Sequence, residues 1–234
     1  MSEWAPKRFW QNATVKTEGD AFTVHLDGRP VRTPGKRPLL VPTGTMAQRI
    51  AAEWQAQEDK INPESMPWTR SANSAIEKVA ASRLGVEAHL IDYAGTDLLC
   101  YRAERPKSLI DRQSMAWEPI LQWADQTFGA RLAITSGVMP VEQPTDAIER
   151  LSRTMTPMSD FEMTGFYDLV TLSGSFLIGL AAVHEYASPD DLWAASRVDE
   201  LWQIEEWGAD EEAAEAAEIK KTAFLHATEF YRSA

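Results

Sequence analysis

Apolar and polar positions alternate with a period of two over the first forty residues, and the period then lengthens. Val15 and Thr17 alternate with polar neighbours, and Gly19-Asp20 marks a turn. Phe22, Val24 and Leu26 then alternate with Thr23 and His25. That pattern predicts half-buried strands. Asp27-Gly28 predicts a two-residue type I′ hairpin turn, because both residue types tolerate positive φ. Val31 and Thr33 read as the return strand, Pro34-Gly35 as a further turn, and Leu39 to Val41 as another short strand. The N-terminal piece is expected to be a small meander.

From Thr45 the apolar positions recur at helical spacing. Thr45 with Gln48, and Ser74 with Glu77, have the spacing of capping boxes. Behind them run the stripes Ala47-Ile50-Ala51-Trp54 and Ala75-Ile76-Val79-Ala80. The first helix is expected to end at Ile61-Asn62-Pro63, with a loop from Asn62 to Thr69. Asp97 to Arg102 reads as a short buried strand or an extended crossover. Ser108 with Asp111 predicts a helix through Trp117 that Pro119 breaks or kinks. A second segment runs to Phe128, with Gly129 as its C-cap. Arg131 to Val138 predicts a strand. Helices follow over Asp146 to Met155, Asp160 to Leu172 and Ser175 to Tyr186. A long helix is expected from Ser188-Pro189 to Trp207, stopped by Gly208, and a last one from Asp210. The expected class is α+β: a small β-rich N-terminal meander domain with the first helix, residues 1–62, then a larger, mostly α-helical domain, residues 63–234.

Composition changes the picture in three ways. The 234 residues hold 23 Lys+Arg against 35 Asp+Glu, a net charge of -12, which argues against nucleic acid as partner. That charge is uneven: residues 1–41 carry 7 basic and 4 acidic groups, whereas residues 185–234 carry 4 and 13. Nine Trp favour a binding role, since Trp is enriched at interfaces. The single cysteine, Cys100, excludes an intramolecular disulfide and a multi-cysteine zinc site. The longest apolar stretch, Leu177 to Val183, is far below the roughly 20 residues of a membrane span, so no membrane insertion is expected. The start, MSEWAPKRFW, has neither an apolar nor an Arg-rich leader pattern, and a protein that works where it is made is expected.

Catalytic motifs are missing. No P-loop, Gly-x-Gly-x-x-Gly or Gly-x-Ser-x-Gly pattern is present. The four histidines are scattered, so neither metal, cofactor nor catalytic group is expected. Cys100 sits in an apolar context that reads as a buried, inert thiol. Ser173-Gly174-Ser175 reads as small residues that let helices approach. The remaining feature is a pair of acidic, Trp-bearing segments, Glu53-Trp54-Gln55 and Asp199 to Gly208. On one helix Glu200, Gln203 and Trp207 share a face, and Asp199, Gln203 and Glu206 an adjacent one. From the residues alone this is an α+β binding protein.

The order of several segments resembles a known family. These are Lys7-Arg8-Phe9-Trp10, Val24-His25-Leu26-Asp27-Gly28-Arg29-Pro30-Val31-Arg32-Thr33-Pro34, Leu40-Val41-Pro42-Thr43 and Ala52-Glu53-Trp54-Gln55-Ala56-Gln57. Met66-Pro67-Trp68-Thr69-Arg70, Tyr93 to Arg102, Trp117-Glu118-Pro119, Ser173-Gly174-Ser175 and Gln203-Ile204-Glu205-Glu206-Trp207-Gly208 follow in order. The set resembles the assembly chaperones of the ATP synthase F(1) sector that serve the alpha subunit. The resemblance implies a non-catalytic, monomeric chaperone that holds the alpha subunit until the beta subunit replaces it. It also implies a small β-rich domain joined to a helical one. Carried over, it places partner binding at Asp199, Glu200, Gln203, Glu206, Trp207 and Gly208, and a structural role at Asp27, Gly28, Pro34 and Trp54. It implies a bacterial relative in the cytoplasm, or the mitochondrial matrix in the family's eukaryotic setting. Two other readings remain open: a carboxylate-based hydrolase using Glu53 or Asp97 between the two domains, and a regulatory adaptor of another complex.

Overall fold

Three antiparallel strands open the chain in the order β1 (Ala13–Glu18), β2 (Ala21–Leu26), β3 (Arg29–Pro30). The computed structural model describes residues 7–137 and 139–234; the expectations for the first six residues and for Val138 lie outside them. Asp27 and Gly28 have φ of 47° and 83°, as a type I′ turn requires. The Asp27 carboxylate accepts bonds from the backbone N–H of Gln11 and Asn12, both at 2.9 Å. Those bonds hold its pKa below the usual carboxylate range. Val31 and Thr33 lie outside regular strand, and the segment Leu39 to Val41 is reduced to one bridge, Phe22 to Val41. Pro30, Pro34 and Pro38 lack the N–H groups a continuous ladder needs.

The helices correct several boundaries. The cap of α1 (Gly44–Gln55) is Thr43, whose hydroxyl accepts from Met46 N–H at 3.3 Å, so Thr45 lies inside the first turn. The helix ends at Gln55, well before Ile61. The expected loop instead contains a 3-10 turn, Pro63–Ser65, and the start of α2 (Pro67–Ser74). A π-helical turn, Ala75–Val79, then leads into α3 (Ala80–Gly95), so Ser74 is no cap. The cap of α2 comes from a distant side chain: Glu53 accepts from Trp68 N–H at 2.6 Å and Thr69 N–H at 2.8 Å. A remote carboxylate does what a capping box does locally, and sequence spacing cannot reveal it.

Asp97 to Arg102 forms a 3-10 turn, Leu98–Cys100, followed by β4 (Tyr101–Arg102). β4 pairs in parallel with β5 (Thr135–Ser136), all that regular strand retains of the segment from Arg131 to Gly137. Pro119 does not end α4 (Lys107–Phe128), which runs on to Gly129 in the left-handed region at φ 66°. The buried face of Trp117, Ile120, Leu121 and Ala124 holds the helix across the one missing bond. Then come α5 (Thr145–Arg153), α6 (Asp160–Ser173) and α7 (Phe176–Val183). The expected long helix is two, α8 (Pro189–Ser196) and α9 (Val198–Trp207), because Arg197 leaves helical geometry at φ -114°, ψ 17°. The last helix, α10, spans Glu211–Arg232.

Contacts divide the chain into two units. One comprises Met1–Arg83, Ser159–Gly165 and Glu229–Ala234; the other Leu84–Met158 and Phe166–Thr228. The first is built on a core of Trp10, Val24, Leu26, Leu39, Met46, Ile50, Trp68 and Phe230. Its Trp54, from the Glu-Trp motif, stacks edge-on against Trp10 at 5.2 Å. The second is built on buried Trp117, Phe166, Phe176 and Phe224. Chain order, which drew the sequence boundary at residue 62, does not anticipate that two short distant segments join the first unit. Among the described residues, no helix is long and apolar enough to cross a membrane.

Candidate partner-binding surface

Sequence singles out α9, and two adjacent residues of α4 fix its position. Gln113, itself buried, donates to Asp199 Oδ1 at 2.7 Å while its Oε1 accepts from Ala103 N–H at 2.8 Å. Arg112 pairs with Glu205, an ion pair that holds the Glu205 carboxyl below its usual range and raises the Arg112 pKa. Glu200 pairs within its own first turn with Arg197, at 3.0 Å. The six nominated residues therefore divide. Asp199 is half-buried and engaged with Gln113, and Glu200 is half-buried and paired. Gln203, Glu206, Trp207 and Gly208 are exposed.

The apolar side chains of the same helix are unusually open. Trp207 is 75% exposed, Leu201 44% and Ile204 40%. Trp207 stands edge-on to Trp202 at 5.6 Å, which fixes one ring against the other. From residue 199 to 218 the chain has nine acidic residues and no basic one. Its positions from Gln203 to Ala216 are all exposed. An apolar stripe with Trp on a net acidic helix, two of whose carboxylates are paired with Arg112 and Arg197, suits a partner that is apolar and basic. Arg112 and Gln113 are missed by sequence reasoning. No local pattern marks them, since their partners on α9 lie more than 80 residues away.

The carboxylates named for catalysis have other partners. Asp97 is fully buried in the second unit. It accepts from Leu99 N–H at 3.0 Å, Ser175 O–H at 2.8 Å and Leu177 N–H at 3.0 Å. It thereby caps both the 3-10 turn and α7, and it joins two of the segments that carry the family resemblance. Burial pushes its carboxyl up to about 6. Cys100 beside it is pushed up to about 12, by burial first and the Asp97 charge second, which leaves an inert thiol. Glu53, in the first unit, takes a third bond from Thr69 O–H at 2.7 Å, and burial raises its pKa.

A β-rich unit and a helical unit bearing this surface match known proteins across nearly the whole chain. The family model described as ATP12 chaperone protein matches residues 7–125. The crystal structure of Atp12 from Paracoccus denitrificans is 44% identical, with a TM-score of 0.93, and the match covers 98% of this chain and 99% of that one. An aspartate-to-lysine mutant of the Paracoccus protein matches with the same identity and TM-score over 99% of each chain. The mitochondrial atp12 protein of Schizosaccharomyces pombe is 23% identical over 222 residues, 89% of this chain and 76% of that protein. This chain belongs to the ATP12 chaperone family.

Proposed function

We propose that this chain holds the unassembled alpha subunit of the ATP synthase until the F(1) catalytic sector assembles, and that α9 is its contact. The observation that carries the reading is the open apolar stripe of Leu201, Ile204 and Trp207 in a stretch, residues 199–218, that holds nine acidic residues and no basic one. Aromatic burial supplies affinity and charge supplies steering and register. Family membership supports the chaperone class. Release needs no nucleotide hydrolysis: a beta subunit that competes for the same client face shifts the equilibrium by mass action. The setting is the bacterial cytoplasm and the working form a monomer. The roles of Asp97 and Glu53 as helix caps favour this reading over a carboxylate hydrolase.

The test is binding of purified alpha subunit to wild type and to Glu200→Lys. The substitution reverses a charge that is 43% exposed and replaces one partner of a surface ion pair, worth under about 1 kcal/mol. The melting temperature should stay nearly constant while client affinity falls. Wild-type affinity in Glu200→Lys removes α9 as the contact.

A further inference from the structure

We infer that the cleft between α4 and α8 is the seat of an apolar client segment flanked by Lys or Arg, with α9 as its acidic continuation. This rests on the client-holding role proposed above. The cleft has a volume of about 380 Å³ and is open to solvent on one side. Small side chains make it: Ala116 and Ile120 of α4 and Ala194 and Ala195 of α8 line the gap. Beside it the Trp117 indole N–H donates to Ala195 O at 2.7 Å and ties the two helices together. The lining is apolar apart from the Tyr186 hydroxyl and Asp191, whose exposed carboxylate accepts from Ser188 O–H at 2.6 Å. At one end Tyr186 stacks on Trp123, with ring centroids 5.0 Å apart. Tyr186 also donates its hydroxyl to Pro119 O at 3.3 Å. This tie holds the wall in place before any partner arrives. At the other end lies Val198, the first residue of α9, and Leu201 continues its face one turn on. The acidic helix therefore starts at the wall of the cleft, in the same unit.

Charge decides the occupant. The unit that carries the cleft has 23 acidic and 10 basic residues. A second copy presenting the same unit would set like charge on like, which costs association, and the first unit, with 13 basic and 12 acidic residues, has almost no net charge to offer the acidic rim. A basic-flanked apolar segment meets both the apolar floor and the acidic rim. Two binding terms follow, one from apolar burial, nearly independent of salt, and one from charge, lost as salt screens it.

The experiment measures affinity of the full chain for purified alpha subunit, at low salt and at about 0.5 M salt, where the Debye length is only a few ångström. Ala194 is exposed, and Ala194→Trp fills the cleft; Ala116→Trp is the second variant should the first fail to fold. The expected result is a loss of about tenfold with Ala194→Trp, the scale of losing a buried anchor. That loss should persist at high salt, whereas the loss in Glu200→Lys shrinks there. Wild-type affinity in Ala194→Trp, with Glu200→Lys still weakened, overturns the cleft as the seat and leaves the function standing. A wild-type protein that does not bind alpha subunit overturns both. A wild-type dimer that Ala194→Trp dissociates overturns the assignment of a client in favour of a second copy.

Discussion

Replacing Asp97 by Asn tests the protonation of this buried joint. The Asp97 pKa lies at about 6 rather than the usual 3.8, chiefly because burial disfavours the charge. The bonds from Leu177, Leu99 and Ser175 pull the other way. The folded state therefore holds a proton at pH values where the unfolded chain has released it. Stability from this group is fully present below pH 3.8 and is lost as pH rises through 6. At 1.36 kcal/mol per pH unit, the charged form costs roughly 3 kcal/mol above pH 6. Lowering the pH from 7 to 5 returns about 1 kcal/mol of that to the wild type and none to Asp97→Asn. The variant removes the buried charge, but its amide sets a donor against Leu177 N–H, a penalty of about 1–3 kcal/mol at either pH. The two effects oppose each other at pH 7, so the informative quantity is the change in the difference. Urea unfolding of both proteins at pH 7 and pH 5 measures it, and the other carboxylates cancel between the two proteins. The wild type should gain about 1 kcal/mol on the variant between pH 7 and pH 5. A gap that is the same at both pH values refutes the argument that Asp97 takes up its proton in the folded protein.

Gly179→Ala puts a Cβ 2.6 Å from Val170 Cγ2 and 3.0 Å from Phe166, between α6 and α7. Overpacking there should cost about 1–3 kcal/mol, read as a lower melting temperature; an unchanged melt would contradict the close approach of those helices. Trp54→Arg brings a charge to the ring that stacks on Trp10, beside the sheet core, and should cost about 2 kcal/mol or more in thermal unfolding. A normally stable protein would show that Trp54 does not support the fold. Gln113→Leu strips Ala103 N–H and Asp199 of their partner and should destabilise by about 1–3 kcal/mol. Hydrogen exchange in α9 should rise with it, and unchanged exchange would mean that Arg112 alone suffices.

Local patterns were enough at several places where one stretch of chain carries its own constraint, though at α1 they set the cap two residues late, at Thr45 instead of Thr43. The turn at Asp27-Gly28 needs two positive φ values, and the residues there tolerate them. Gly129 ends α4 and Ser188-Pro189 begins α8 for reasons contained in a few neighbouring residues. The concentration of acid near the C-terminus is likewise a property of the sequence, as is the run of segments that marks the family. Boundaries failed where a partner from far along the chain supplied the decisive bond. Glu53 caps α2 from fifteen residues upstream, which displaced the start expected at Ser74. Asp97 ties Leu99 to Ser175 and Leu177 across 80 residues, turning two motifs of unclear purpose into one clasp.

The same division holds for the surface. The sequence by itself determined that α9 is acidic and Trp-bearing, because charge and residue type need no fold to be read. Only the tertiary structure decided which of those groups are open, since Gln113 and Arg112 engage Asp199 and Glu205 while Trp207 is left exposed. The cleft beside them has no sequence signature at all. It exists because alanines from two helices far apart in the chain line the same gap, a relation that only packing creates.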